Sequence, residues 1–203
     1  MRLPVPMSSA RVVLVRHGET EWSRDHRHTG RTDIELTATG REQATAAGRA
    51  LAGRELGLVL CSPLVRATET CRLAGLSEHA ELVDDLVEWD YGVAEGRSTA
   101  DMQTGTPGWT VWTHSLGDGE TADEVGARAD RVIGRIEAAA AEGSDVAVVA
   151  HGHMLRILTA RWLGLPAVHG RSFALGTATV SELGYEHDNR VVRVWNDDNH
   201  LRG

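Results

Sequence analysis

The 203-residue chain contains no lysine, only two cysteines and one phenylalanine, and aromatic residues make up 4% of it. It also lacks any apolar run near the roughly 20 residues a bilayer-spanning helix requires, which argues against an integral membrane protein. The first ten residues include Pro4 and Pro6 but not the continuous apolar stretch of a secretory signal. Residues 1–10 therefore read as a loose leader, and a cytoplasmic location is expected. Cys61 and Cys71 are too few to staple a chain of this length and match no zinc-site spacing, so they read as reduced thiols. Without lysine, all 21 basic side chains are arginine. That bias runs through the whole chain, so only the placement of a particular arginine carries functional meaning. The formal charge of −8 is not that of a nucleic-acid-binding surface.

What is present is an alternation of short apolar runs and helical patterns. Val12 to Val15 and Asp145 to Ala150 are continuous, β-branched runs of the kind covered on both faces, and Leu58 to Leu60 is a weaker third. Each stops at polar residues: Arg16-His17, His151-Gly152 and Cys61-Ser62. Between them Thr37 to about Ala52 reads as a helix. Ser62 before Pro63 offers an N-cap and a proline first position for another helix, with Arg66 in its first turn. Thr121 to Glu124 is a capping box, followed by Val125, Ala129, Val132, Ile136 and Ala140 at the spacing of one buried helical face. A further helix is expected from His153 to Leu163, and late strands near Thr177 to Leu183 and Arg190 to Trp195. The length suits one domain. The alternation predicts a three-layer α/β/α sandwich with a mostly parallel central sheet, whose ligands sit at the carboxyl ends of the strands. Residues 89–119, rich in Gly, Thr and Trp, read as lid-like loops and short helices above that edge.

The chemistry-bearing segment is Arg16-His17-Gly18-Glu19-Thr20 at a strand end. An imidazole there can present one nitrogen to a ligand while the other donates to a backbone carbonyl, which fixes the tautomer and makes a ready nucleophile for phosphorus. Gly18 permits close backbone approach. Arg66, near a helix N-terminus, joins Arg16 as a possible bidentate clamp on one phosphate. Cys61 to Arg66 is one residue short of the Cys-x5-Arg loop of cysteine-dependent phosphatases, and Pro63 stands where that loop needs glycine. His151 repeats the strand-end histidine; facing the same phosphate, its protonated ring would neutralise equatorial charge. His-x-His pairs at 26/28 and 151/153 suggest a metal, but no third ligand completes a set. Glu88, flanked by Val87 and Trp89 whose desolvation would keep it protonated, is the candidate general acid, with Asp90 its rival.

Together these segments resemble the histidine phosphatase superfamily, which includes cofactor-dependent phosphoglycerate mutases, a fructose 2,6-bisphosphatase domain and small broad-specificity phosphatases. The resemblance runs from Val12 to about Val180. It implies a phosphohistidine intermediate on His17, with Arg16, Arg66 and His151 around the phosphate and Glu88 as the acid. It also implies substrate contacts from Ser23, Thr29, Gly30, Tyr91, Gly152 and His153, and neither a cofactor nor a metal. The implied partner is a small phosphorylated substrate with inorganic phosphate as product, with no nucleic acid or membrane; a homodimer is compatible with the reading. The mutases typically carry Asn shortly after the tryptophan of the first motif, where Trp22 is here followed by Ser23. They also carry a longer basic insertion where Arg97 to Thr113 offers only Arg97. Hydrolysis is therefore expected; a mutase and a non-catalytic phosphate-binding module are the alternatives.

Overall fold

The computed structural model describes residues 10–187 and 189–202. Of the expected leader, positions 1–9 lie outside the described residues, and Ala10 corrects the expectation. It is buried against the apolar cluster that Val12 and Leu183 also join.

In chain order the regular elements are β1 (Val12–Arg16), α1 (Glu21–Arg24), α2 (Ala38–Leu51), β2 (Leu56–Cys61), α3 (Val65–Leu73) and β3 (Ala80–Leu82). They continue with α4 (Thr99–Gly105), α5 (Ala122–Ala141), β4 (Asp145–Ala150), α6 (Gly152–Trp162), β5 (Val180–Glu186) and β6 (Asn189–Asp197). The strands form one six-stranded sheet in the order β3-β2-β4-β1-β5-β6. Pairings among β1 to β4 are parallel, while β5 and β6 add antiparallel. Successive strand residues point to opposite faces, and the central strands use this to build two cores. Val12, Leu14, Val146 and Val148 pack with the inner faces of α5 and α6. Val13, Val15, Ala147 and Val149 pack with Ala47 and Leu51 of α2 and Ala67 and Cys71 of α3. This is the expected α/β sandwich, and it explains why those strands show no polar face.

Several local expectations hold. Thr37 caps α2 through Gly40 N–H, and Thr121 and Glu124 form both halves of the box that opens α5. Three do not. Ser62 caps no helix: α3 starts at Val65, whose N–H is taken by Asp33 at 2.8 Å, because the Ser62 hydroxyl is engaged by His151 at 2.7 Å. Thr177 to Thr179 are a turn ahead of β5, with Ala178 at φ 53° and its N–H within 3.1 Å of both the Arg16 and His17 carbonyls. The short edge strand β3, Ala-Glu-Leu, carries too few residues for any period to show.

The register aligns the strand ends. Arg16 stands opposite Ala150 and Cys61 opposite Val149, His17 N–H bonds the Ala150 carbonyl, and Ser62 N–H bonds the Val149 carbonyl. His17, Ser62 and His151 thereby share one edge of the sheet. The backbone after His17 is clamped by α2: Glu19 N–H bonds Gln43 and Glu19 accepts from both Thr37 N–H and Thr37 Oγ1. Gly40 lies so close that a Cβ there would stand 2.1 Å from the Glu19 carbonyl oxygen, and one on Gly18 2.2 Å from the Gly40 oxygen. The freedom expected of Gly18 is spent on this helix contact.

Gly40→Ala should cost about 1–3 kcal/mol through overpacking, whereas Gly134→Ala, at an exposed α5 position with no atom within 4 Å, should gain roughly 0.5–1 kcal/mol. Urea unfolding of both variants checks the pair; equal stabilities would show that α2 is free to retreat from residues 18–20.

Candidate active site

His17 is 4% exposed, and its Nδ1 lies 2.8 Å from the Gly18 carbonyl oxygen. A carbonyl only accepts, so Nδ1 carries the proton and Nε2 keeps its lone pair. Burial first, then the guanidiniums of Arg66 and Arg16, hold this ring well below the ordinary imidazole value, so it is neutral. The Gly18 N–H is fixed in turn by Thr70 Oγ1, which donates to the Arg66 carbonyl.

The His151 ring sits 5.2 Å from that of His17 and is fully buried. Its Nδ1 accepts from Arg66 Nε at 3.1 Å, so Nε2–H faces Ser62 Oγ. Burial and the Arg66 guanidinium hold this imidazole, too, well below its usual range. The protonated His151 expected from sequence is thus corrected: an arginine donor occupies the nitrogen that would have to take the proton.

Arg66 is 0% exposed and pairs with no carboxylate among the described residues. Its remaining bonds go to the carbonyls of Thr29, Gly30 and Thr32. The loop those carbonyls belong to is held from its other side by Glu95, which accepts from the N–H groups of Gly30 and Thr32. Arg16 is different. One Nη donates to the Leu175 carbonyl at 2.6 Å, but its buried Nε has no hydrogen-bond partner. Gly152 gives it room, since a Cβ there would meet the guanidinium at 3.4 Å.

Glu88 is 4% exposed, and the apolar surroundings expected for it do not reach the carboxyl group. Oε1 accepts from the N–H groups of Trp89 and Met154, and Oε2 accepts from His153 N–H. Two of these donors belong to the first turn of α6, where free amides and the helix dipole favour an acceptor. The Glu88 turn is braced by Arg128, which donates to the Asp85 and Val87 carbonyls while forming a two-point pair with Glu120. The rival Asp90 turns away from the site: one oxygen accepts from Gly92 N–H and the other lies 3.6 Å from Arg31.

A cavity of about 480 Å³ opens at this sheet edge. Arg16, His17, Glu88 and Gly152 line it together with Ser23, Thr29, Tyr91 and His153, while Arg66, His151 and Gly30 lie beneath. Tyr91 OH and His153 Nδ1 are 2.6 Å apart. Trp89 and Trp109 pack into the core under the 89–119 segment rather than facing the cavity. Arg156, Arg27, His26 and His28 also line it; the two arginines were not singled out from sequence, because nothing local distinguishes them from surface cations, and the two histidines drew attention there only as a His-x-His metal pair. Ser62, whose signal reads as a cap, and Thr70, which carries no signal of its own, prove to orient the two strand-end segments.

A neutral imidazole of fixed tautomer, set among guanidiniums where parallel strands end, makes this a protein with a cationic crevice of the α/β kind. The chain belongs to the histidine phosphatase superfamily (branch 1), which it matches over residues 12–198. It is 43% identical over 186 residues to an acid phosphatase of Mycobacterium tuberculosis, covering 91% of each chain. It is 33% identical to sedoheptulose 1,7-bisphosphatase of Saccharomyces cerevisiae over 79% of this chain and 70% of the yeast protein. The solved structure of the open reading frame Rv3214 from M. tuberculosis superposes with a TM-score of 0.87 at 42% identity, covering 92% of this chain and 97% of that one.

The neutral histidines set a pH dependence of stability. Burial lowers His17, His151 and His153 from the ordinary 6.5 in the folded state, so below 6.5 the unfolded chain binds protons that the folded chain does not. Stability is then fully present above about 6.5 and is lost as pH falls toward the folded-state values, by roughly 1.4 kcal/mol per pH unit for each ring that stays neutral. Urea midpoints between about pH 7 and pH 5 should fall accordingly; a flat profile would mean these rings protonate in the fold.

Proposed function

We propose that the protein is a phosphatase that hydrolyses small phosphomonoesters, sugar phosphates among them and with broad specificity, through a phosphohistidine on His17. The observation that carries this reading is the bond between His17 Nδ1 and the Gly18 carbonyl, which leaves a buried, neutral imidazole with its Nε2 lone pair unprotonated beside Arg16. Hydrolysis of phosphate esters by the acid phosphatase and sedoheptulose 1,7-bisphosphatase relatives supports it.

The path has two steps. In the first, Nε2 attacks phosphorus in line as the ester oxygen departs, and Glu88 delivers a proton to that oxygen. In the second, Glu88 takes a proton from a water whose oxygen attacks phosphorus, and the P–N bond breaks to release inorganic phosphate and the neutral imidazole. Arg16 supplies donors to the phosphoryl oxygens, and the α6 amides hold Glu88 in the lining of the cavity that His17 also lines. Neither step calls on a metal ion. Arg66 and His151 shape the field from below, through the loop carbonyls and through Ser62. Ser23, Thr29, Gly30, Tyr91, Gly152 and His153 form the walls and floor around the substrate.

Incubation with a labelled phosphomonoester, an alkaline quench and digestion should yield an acid-labile label on the peptide containing His17. His17→Ala should abolish turnover, and Glu88→Gln should slow sugar phosphates by about 10²–10⁴-fold but p-nitrophenyl phosphate much less, because its leaving group needs no proton. Label on another residue overturns the nucleophile. Isomerisation of 3-phosphoglycerate outpacing phosphate release, with a bisphosphoglycerate primer present, overturns hydrolysis as the main activity.

A further inference from the structure

Residues 174–178 belong to no helix or strand, yet they wall the cavity and hold the reacting segment. Leu175, Gly176 and Thr177 line the cavity. The Leu175 carbonyl, at 2.6 Å, takes the one side-chain hydrogen bond that Arg16 makes among the described residues. Ala178 N–H lies within 3.1 Å of both the Arg16 and His17 carbonyls. The aim of the Arg16 guanidinium, whose buried Nε has no partner, therefore depends on where the Leu175 carbonyl stands.

What holds that carbonyl in place comes from the edge strand β6, which carries a bulge. Between the pairs Val180–Asp197 and Glu182–Val194, Trp195 and Asn196 stand against Ser181 alone. Asn196 takes a left-handed backbone there, at φ 56°, and its N–H bonds Ser181 Oγ at 2.9 Å. Glycine adopts such a backbone freely, and asparagine tolerates it better than most residues. Asparagine adds a side-chain carbonyl, and here Oδ1 accepts from Gly176 N–H at 2.7 Å, next to Leu175. Two neighbours act alike. Trp195 Nε1–H donates to the Ala174 carbonyl at 2.5 Å, and His200 Nε2 lies 2.9 Å from the Ala178 carbonyl, which can only accept. The bonds divide along the segment: the Leu175 carbonyl and Ala178 N–H serve Arg16 and His17, while Ala174, Gly176 and the Ala178 carbonyl are tied to β6 and the turn after it.

We propose that Asn196 is a positioning residue for the reaction: through Gly176 it fixes the Leu175 carbonyl and so aims Arg16 at the phosphoryl group. Its side chain makes no other hydrogen bond among the described residues and lies outside the cavity lining. A bulge in the edge strand thus re-aims one amide toward the loop, and the loop passes that placement to the guanidinium. The inference rests on Arg16 being a donor to the phosphoryl oxygens.

The test compares calorimetric titration with inorganic phosphate, and kcat/KM for p-nitrophenyl phosphate, across wild type, Asn196→Gly, Asn196→Asp, Arg16→Ala and the Arg16→Ala/Asn196→Gly double variant. Asn196→Gly removes the acceptor without straining the left-handed backbone, so its urea midpoint should stay near that of wild type. Its phosphate affinity and kcat/KM should each fall by about 10-fold, the worth of one hydrogen bond to a charged group. Asn196→Asp keeps an oxygen in place and should recover most of the loss. In the Arg16→Ala background, Asn196→Gly should change neither quantity by more than about twofold. Trp195→Phe keeps an aromatic ring beside Phe173 but removes the bond to Ala174. It should give a smaller loss that Arg16→Ala likewise erases, and it serves if Asn196→Gly fails to fold. Phosphate binding unchanged by Asn196→Gly, or a loss that adds to that of Arg16→Ala, overturns the inference alone. Phosphate binding unchanged by Arg16→Ala removes Arg16 from the phosphoryl group and takes the proposed account of the site down as well. The expected pattern of phosphate binding in a wild type without turnover would sink the phosphatase reading and leave the positioning of Arg16 standing.

Discussion

The guanidinium of Arg66 has no exposed surface and no carboxylate partner among the described residues, yet it joins the His151 ring to the loop that carries Thr29, Gly30 and Thr32. A buried charge is tolerated only where hydrogen bonds replace its hydration. Here the replacements are the carbonyls of Thr29, Gly30 and Thr32 and the Nδ1 of His151. Four neutral acceptors take four of its five donors without cancelling the charge. The positive potential therefore survives under the crevice, and it is among the causes that keep His17 and His151 unprotonated.

The same contact ties distant pieces of chain together. Arg66 comes from α3, His151 from the end of β4, and the carbonyls from the loop between α1 and α2, so the first turn of α3 pins a loop and a strand end in one step. Glu95 repeats the device from the opposite side, accepting from N–H groups of the loop whose carbonyls Arg66 occupies. Glu88 is built by the complementary rule. There the buried group is a carboxyl, and its partners are three backbone N–H groups, two of them at a helix start. Guanidinium on carbonyls and carboxyl on amides, both nearly sealed from solvent, let the two groups share one edge of the sheet without pairing with each other.

What was legible in the amino-acid sequence follows from which interactions are local. The strands at Val12, Leu58 and Asp145, the box at Thr121 and the cap at Thr37 are written in neighbouring residues and appear where expected. His17, Arg16 and His151 were legible as well, because strand-end polar residues gather wherever a parallel sheet forms, whereas Glu88, beyond a turn that follows β3, was singled out mainly through the family resemblance. The misreadings come from partners far away in sequence. Ser62 has the local signature of a cap, but His151, 89 residues on, claims its hydroxyl. Glu88 sits between apolar neighbours, but its carboxyl reaches α6, 66 residues on. Thr177 to Thr179 are β-prone, yet Ala178 is bent into the left-handed region, where its N–H meets the carbonyls of Arg16 and His17. In each case a tertiary hydrogen bond outweighs a local preference.

The contact between His17 and Gly18 bears on both halves of the proposed reaction. An imidazole phosphorylated at Nε2 with Nδ1 still protonated is a cation, and the Gly18 carbonyl, 2.8 Å away in the resting enzyme, is aligned to stabilise the charge that develops there. A carbonyl stabilises that cation without accepting its proton, whereas a carboxylate in its place would raise the affinity of Nε2 for a proton and so let protons compete with phosphorus for its lone pair. The surrounding guanidiniums act in the opposite sense, disfavouring an imidazolium until the phosphoryl group brings its own negative charge. The ring is thus neutral when it must attack and cationic only while phosphate is attached, which makes it a good leaving group toward water at the moment one is needed.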